Sequence, residues 1–355
     1  MDKDNFLTKE AVNLLKSMIA IASYSGDEHR VADLIKNILE TSNIEYKSQG
    51  NNVWAHNKHF TQGKPTILLN SHIDTVKPSK SWTKDPFTPI IESGKLYGLG
   101  SNDAGASLVS LLAAFKYFHH DDELNFNLIF AATAEEEVSG PNGIASIIEQ
   151  LGAIDFAIVG EPTKMNLAIA EKGLMVIDGE AKGISGHAAR EEGENAIYKA
   201  LKDIGWLQNY SFDKESNLLG PVKMSVTQIN AGSQHNVVPD RCGFVIDVRS
   251  NEHYSNREIF EMLQKNTLSE LKARSFRLNS SGMSANHPFA KKAISLGLET
   301  FGSPTLSDQA LIPFVSAKIG PGDSARSHTA DEYIHLSEIE KGIDTYINLL
   351  KDFKL

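Results

Sequence analysis

Thr66-Ile67-Leu68-Leu69-Asn70-Ser71-His72-Ile73-Asp74 is an apolar run that ends on an imidazole and a carboxylate, and the construction recurs twice downstream. Phe126-Asn127-Leu128-Ile129-Phe130 leads to Thr133-Ala134-Glu135-Glu136-Glu137, and Phe156-Ala157-Ile158-Val159 leads to Gly160-Glu161-Pro162. Short apolar runs with polar boundaries read as buried strands. Between the first two, residues 104–118 set Leu108, Leu111, Leu112 and Phe115 on one helical face, and residues 144–151 form a second helical stretch before the third. Strands alternating with helices need crossover connections, so the expectation is an α/β domain, a mostly parallel sheet flanked by helices. The strand ends then deliver an imidazole and several carboxylates to one sheet edge, where open α/β sheets bind ligands. Asp103, opening the helix over 104–118, falls at the same edge.

Upstream, an N-cap at Thr8 followed by Val12, Leu15 and Ile19, and then Val31, Leu34, Ile35 and Ile38, predict two amphipathic helices. Downstream the pattern changes. A strand over Met175-Val176-Ile177-Asp178-Gly179-Glu180-Ala181 precedes a helix over 195–207, strands over 223–229 and 242–249, and a helix over 256–271. That order suits a smaller α+β domain inserted into the first. The expected division is 1–172 with 285–355, and 173–284 as the insertion. Beyond His287 a helix, a strand at Phe314-Val315-Ser316 and a closing helix complete the first domain.

The chain has 355 residues, and 35 basic against 45 acidic ones give 35 − 45 = −10. An acidic surplus argues against nucleic acid or an anionic membrane as partner, since both demand a positive field. The N-terminus carries acidic residues and Lys16 within its apolar stretch, unlike a secretory signal, and no apolar run approaches the roughly 18 residues of a membrane span. The single cysteine, Cys242, lies inside an apolar strand and reads as core. A soluble, cytoplasmic protein is expected.

His-x-Asp alone says little. His119-His120-Asp121-Asp122 contains two such pairs in a polar connection expected to be solvated. His72 differs because a buried strand leads into it, which leaves a metal ligand and a satisfied core histidine both open; Asp74 suits the carboxylate that fixes a ligand imidazole. Three successive glutamates fit a helix N-terminus as well as a site. Crowded behind a buried strand, however, like charges raise one another's pKa unless a cation offsets them. Imidazole with carboxylates and no thiolate suits zinc, cobalt or manganese, and several carboxylates suggest two metals about 3.5–4 Å apart. There is no G-x-S-x-G elbow and no phosphate loop, and Asp103 stands where a dinucleotide fingerprint after Gly98-Leu99-Gly100 needs its third glycine.

Together these segments resemble the two-metal amidohydrolase family of acetylornithine deacetylase, succinyl-diaminopimelate desuccinylase, aminoacylases and glutamate-releasing carboxypeptidases. The resemblance runs through Ser25-Gly26-Asp27-Glu28, Ser71-His72-Ile73-Asp74-Thr75-Val76, Leu96-Tyr97-Gly98-Leu99-Gly100-Ser101-Asn102-Asp103, Thr133-Ala134-Glu135-Glu136-Glu137, Gly160-Glu161-Pro162-Thr163 and Ser327-His328-Thr329-Ala330-Asp331-Glu332. It implies that His72 and Glu161 hold one metal, Glu137 and His328 the other, and that Asp103 bridges them, with Zn2+ favoured and Co2+ or Mn2+ as alternatives. It makes Glu136 the general base and Asp74 the partner of the ligand histidine. Gly183-Ile184-Ser185-Gly186-His187-Ala188 resembles the segment by which the family's dimerisation domain offers a histidine, here His187, to the partner subunit's site. Asn236 in Asn236-Val237-Val238-Pro239, Arg249 in Asp247-Val248-Arg249, and Gly320 and Gly322 are implied in substrate binding.

The implied activity is removal of the N-acyl group from an N-acyl-L-amino acid, a small-molecule substrate, by a homodimer. The first expectation is N-acetyl-L-ornithine to L-ornithine plus acetate in arginine biosynthesis. Acetylcitrulline, a succinylated amino acid, acetyl-lysine or a dipeptide are the alternatives. The biosynthetic subgroup often has arginine where Leu99 stands, and lysine then glycine where Gly105 and Ala106 stand. A non-catalytic dimeric binding module is the competing class, against which the intact set of His72, Asp103, Glu136, Glu137, Glu161 and His328 speaks.

Overall fold

The computed structural model describes residues 3–190 and 192–355, which form two compact units. Unit 1 runs to Ile169 and resumes over Gly282–Phe301 and Ser307–Leu355; unit 2 is Ala170–Ser281 with Gly302–Leu306. In chain order come α1 (Lys3–Ile19), α2 (His29–Thr41), β1 (Tyr46–Gln49), β2 (Asn52–His56), β3 (Thr66–His72), β4 (Ile90–Glu92), β5 (Lys95–Tyr97) and α3 (Ala106–Phe118). β6 (Asn127–Thr133), the one-turn α4 (Ile148–Leu151), β7 (Phe156–Val159) and β8 (Leu167–Glu171) follow. Next are β9 (Met175–Lys182), β10 (Gly186–His187), α5 (Ala196–Asn209), β11 (Lys223–Ala231), β12 (Val237–Val238), β13 (Arg241–Arg249), α6 (Asn256–Asn266) and β14 (Glu270–Ala273). The chain closes through β15 (Ser281–Gly282), α7 (Pro288–Ser295), β16 (Thr300–Ser303), β17 (Ser316–Lys318), β18 (Tyr333–His335) and α8 (Leu336–Leu350).

The sheet of unit 1 runs β1-β2-β6-β3-β7-β17-β8. β6, β3, β7 and β17 are mutually parallel, while β1, β2 and β8 join antiparallel at the two margins, so the sheet is mixed around the expected parallel centre. Successive residues of β3 point to opposite faces. Ile67 and Leu69 enter a core with Leu15, Ile35, Leu111, Phe115 and Tyr346 from the helices, whereas Leu68 meets Trp54, Ile129, Ile147 and Val159 on the other face. Both faces being covered is why these strands read as unbroken apolar runs. Strand order reverses at β3, since β6 lies on one side of it and β7 on the other, which opens a crevice at the carboxyl ends of the parallel strands.

Unit 2 contains an antiparallel sheet β11-β13-β9-β14 on which α5 and α6 pack. Its core alternates along β9 and β13, with Met175, Ile177, Phe244, Ile246 and Cys242 inward. Asn195 caps α5 through a bond from Ile197 N–H (2.9 Å).

Several boundaries differ from expectation, each for a local reason. Thr8 lies inside α1, which begins at Lys3. The helix over 256–271 stops at Asn266, because buried Asp203 of α5 takes the N–H groups of Leu268 (3.1 Å) and Ser269 (2.8 Å) and turns the chain into β14. The 144–151 helix is a short 3-10 turn followed by α4. The strand expected at Phe314 starts at Ser316, with Val315 exposed.

His119 is a further correction. Placed by expectation in a solvated connection, it is 5% exposed at the end of α3, its ring 5.5 Å from Phe115 and 4.8 Å from exposed His120. Its carbonyl accepts Lys58 N–H at 2.9 Å, but its Nδ1 is buried without a partner. Burial, then the charges of His120, Lys58 and His59, push its pKa from 6.5 down to about 4. Between those values the unfolded chain binds a proton that the folded chain refuses, so this residue costs stability as pH falls through that window. His119→Leu should therefore gain in Tm relative to wild type as pH drops from 6.5 to 4, with a flat difference above pH 7, as followed by thermal unfolding.

Candidate metal centre

His72 closes β3 and is 2% exposed. Its Nδ1 lies 2.8 Å from the backbone carbonyl of Asp74, an atom that can only accept, so the ring proton sits there. Nε2 faces Asp103 Oδ1 at 3.3 Å and Glu161 Oε1 at 3.7 Å. An imidazole nitrogen set among carboxylate oxygens in this way is a donor set that suits a divalent metal. The Asp74 carboxylate stands 3.4 Å from the same Nδ1, and it also accepts the N–H groups of Glu136 (3.0 Å) and Glu137 (3.1 Å) and the Ser25 hydroxyl (2.7 Å). The expected partner of the histidine therefore also anchors the glutamate turn.

That turn separates the three glutamates. Glu135 adopts a left-handed backbone (φ 55°), its N–H held by buried Glu28 (3.2 Å), and its carboxylate leaves toward Asn142 N–H (2.9 Å) and Nδ2 (2.8 Å). Glu28 also accepts Gly26 N–H (2.6 Å) and Asn51 Nδ2 (2.7 Å). Glu136 and Glu137 follow in a single 3-10 turn. Glu137 Oε2 lies 2.9 Å from His328 Nε2, which is 3.8 Å from Asp103 Oδ2. Ligand atoms of His72, Asp103 and Glu137, and of His72, Glu136 and Glu161, each fall within 4.8 Å of one another.

Two buried acids escaped sequence reasoning. Asp308 accepts Asn70 Nδ2 (2.8 Å) and the Thr133 hydroxyl (2.9 Å), clamping the ends of β3 and β6. Glu332 holds the backbone leading into Asp103. Glu332 was legible only as a motif letter, and Asp308 sits in a segment with no periodicity to flag it.

The electrostatics follow from this crowding. Burial, with Glu161 beside it, raises the Glu136 pKa well above a normal carboxyl. Burial and Asp103 push Glu161 to about 8, burial and Asp103 push Glu332 to about 8, and burial takes Asp308 to about 6. Glu137 raises His328 to about 9, while burial opposes a charge on His72 and is overcome by Asp103 and Asp74. The site demands positive charge, and imidazoles with carboxylate oxygens fit a divalent metal.

Comparison with known proteins agrees. Residues 68–352 match the family described as Peptidase family M20/M25/M40. The chain belongs to this family. It is 28% identical over 279 residues to a succinyl-diaminopimelate desuccinylase from Polynucleobacter necessarius, covering 72% of each. An M20 family metallo-carboxypeptidase from Sulfolobus solfataricus superposes with a TM-score of 0.75 at 19% identity, over 96% of this chain and 98% of that one. A dinuclear metal binding M20 peptidase from Bacillus subtilis does so with a TM-score of 0.76 at 16% identity, over 98% of each. As a member of this peptidase family, the chain is a hydrolase of amide bonds.

The remaining M20 site candidates divide between the units. In unit 2, His187 is exposed on β10, its Nδ1 accepting Ala189 N–H (3.1 Å), and the carbonyl of Asn236 accepts Ala188 N–H (2.9 Å). Arg249, at the end of β13, is engaged at two points by Asp247 of its own strand (2.8 and 3.1 Å). In unit 1, Gly322 N–H lies in the loop after β17, and Gly320 packs against the backbone of Glu161. A Cβ on Gly320 would come within 2.5 Å of the Glu161 carbonyl oxygen. Gly320→Ala should cost about 1–3 kcal/mol of stability by overpacking. Gly205→Ala on α5, where a Cβ meets nothing within 4 Å, should be neutral or stabilising; denaturant unfolding of both variants tests this.

Proposed function

We propose that the protein is a dinuclear metal-dependent amidohydrolase that cleaves an N-acyl-L-amino acid into a carboxylic acid and the free amino acid. The observation that carries this is the convergence of His72, Asp103, Glu136, Glu137, Glu161 and His328 at the carboxyl edge of one sheet. In this proposal His72 and Glu161 would hold one divalent ion and Glu137 and His328 the other, with Asp103 serving both, and Zn2+ would be preferred over Co2+ or Mn2+. Such ions would supply Lewis-acid polarisation of the amide carbonyl and lower the pKa of water toward neutrality.

The chain's own groups do the rest. Glu136, fixed by the bond from its N–H to Asp74, takes a proton from the attacking water and delivers it to the amide nitrogen as the C–N bond breaks. Because Nδ1 of His187 accepts a backbone N–H, its neutral ring carries the proton on Nε2, a donor suited to an oxyanion. We place this donation in the site of a second copy. In support of a homodimer, nine-residue β11 is an edge strand of its sheet, and α5 exposes Tyr198 and Leu201. For substrate binding we propose Arg249, which would exchange Asp247 for a substrate carboxylate, with Asn236 in unit 2 and Gly320 and Gly322 in unit 1. The single cysteine supports a cytoplasmic location.

N-acetyl-L-ornithine is the first proposed substrate. The succinyl-diaminopimelate desuccinylases among the relatives favour N-succinyl amino acids as a second reading. Amine release from N-acetyl-ornithine, N-acetylcitrulline, N-acetyl-lysine, N-succinyl amino acids and dipeptides, by protein stripped with chelator and restored with Zn2+ or Co2+, ranks these. No cleavage by protein holding two metals would overturn the deacylase proposal. Glu136→Gln should keep both metals and lose about 10²–10⁴ in kcat. Mixing the inactive Glu136→Gln and His187→Ala proteins should regain up to about a quarter of wild-type activity if sites are shared between copies. No regain, or particles sizing as monomers, removes the partner-subunit role.

A further inference from the structure

The loop between β5 and α3 has to turn Asp103 inward, and it does so around a single carboxylate. Glu332 Oε1 accepts the N–H groups of Asn102 (2.8 Å) and Asp103 (2.9 Å), and Oε2 accepts that of Gly100 (3.1 Å). The main-chain carbonyl of Glu332 also takes Gly98 N–H at 3.0 Å. Gly100 is left-handed (φ 73°), and a Cβ there would lie 2.6 Å from Thr75 Cγ2, so this path is closed to other residues. Glu332 itself is 2% exposed.

The same carboxylate belongs to the segment that carries His328. That histidine lies four residues earlier, in left-handed backbone (φ 58°). Asn102 ties the two segments a second time, donating to the carbonyl of Asp323 (3.1 Å) and to the Ser327 hydroxyl (3.3 Å) while accepting Asp323 N–H (3.0 Å). β18 then pairs with β5 through Tyr333 and Tyr97. The separation between Asp103 and His328 is therefore set by the bonds to Glu332 together with those of Asn102, and of these only the Glu332 carboxylate takes the Asp103 N–H itself.

We infer that Glu332 is a positioning residue that fixes Asp103 relative to His328 and thereby sets the affinity for one of two metals; this rests on the ligand set proposed above. A carboxylate is required rather than an amide, since three N–H donors converge on its two oxygens and an amide NH2 would face at least one of them. The adjacent Asp331 offers a matched comparison. It accepts Thr83 N–H (2.9 Å), Lys84 N–H (2.9 Å) and the Thr83 hydroxyl (2.5 Å), holding in the same manner a loop that bears no candidate ligand.

The test is an equilibrium titration of chelator-stripped full-length protein with Zn2+ by calorimetry and with Co2+ by absorption, alongside thermal unfolding of the metal-free form. Wild type should take up two ions. Glu332→Gln should bind the first as wild type does and the second about 10–100-fold more weakly, while Asp331→Asn keeps both affinities. Excess metal should restore kcat to Glu332→Gln with KM unchanged, a rescue that general loss of structure would not give. If Glu332→Gln does not fold, Glu332→Asp, which retains the charge but withdraws it by one methylene, should also weaken the second ion. Wild-type affinities in the folded Glu332 variant, or equal losses in Asp331→Asn, overturn the inference. Failure of the wild type to bind two ions instead overturns the dinuclear proposal, and the two failures are told apart by which protein shows them.

Discussion

The constraint on which unit 1 depends is the confinement of negative charge at one sheet edge. Asp74, Asp103, Glu136, Glu137, Glu161, Asp308 and Glu332 gather there around His72 and His328. Burial and mutual repulsion hold proton affinity high at Glu136 and Glu161, so without a cation some of these acids keep their protons. Positive charge placed among them releases those protons and restores them as acceptors. The fold thus stores a requirement for metal in its electrostatics.

Two of these carboxylates, Asp74 and Glu332, together with Glu28 outside the cluster, hold the loops that carry the proposed ligands. Asp74 accepts the N–H groups of Glu136 and Glu137, Glu28 that of Glu135, and Glu332 those of Gly100, Asn102 and Asp103. Charge-assisted bonds from backbone N–H are short and strong, and they offset the burial of the acid that accepts them. The outcome is a set of irregular loops with fixed geometry, although each lies outside regular secondary structure.

What was legible in the sequence follows the same division. The parallel centre of the sheet shows as apolar runs because both faces of β3, β6 and β7 are covered, and the strand ends mark the site because an ionisable residue follows each run. Periodicity could not separate Glu135 from Glu136 and Glu137, since their divergence arises from one left-handed residue and a distant Glu28. It missed Asp308 for a like reason, as its partners Asn70 and Thr133 lie far away in the chain. His119 was misjudged because a polar neighbourhood in sequence does not report that Phe115 packs against its ring. The end of α6 was invisible for want of any local breaker; the stop signal is Asp203, on another helix.

The division into units carries the last step. All six residues proposed for metal and base chemistry lie in unit 1, while His187, Asn236 and Arg249 lie in unit 2. Each unit has its own core of buried apolar side chains. A reaction can be kept on one fold while the molecule cleaved changes, because function resides in the site and not in the fold. For that reason the carboxylate cluster supports a reaction class more firmly than any one acyl amino acid.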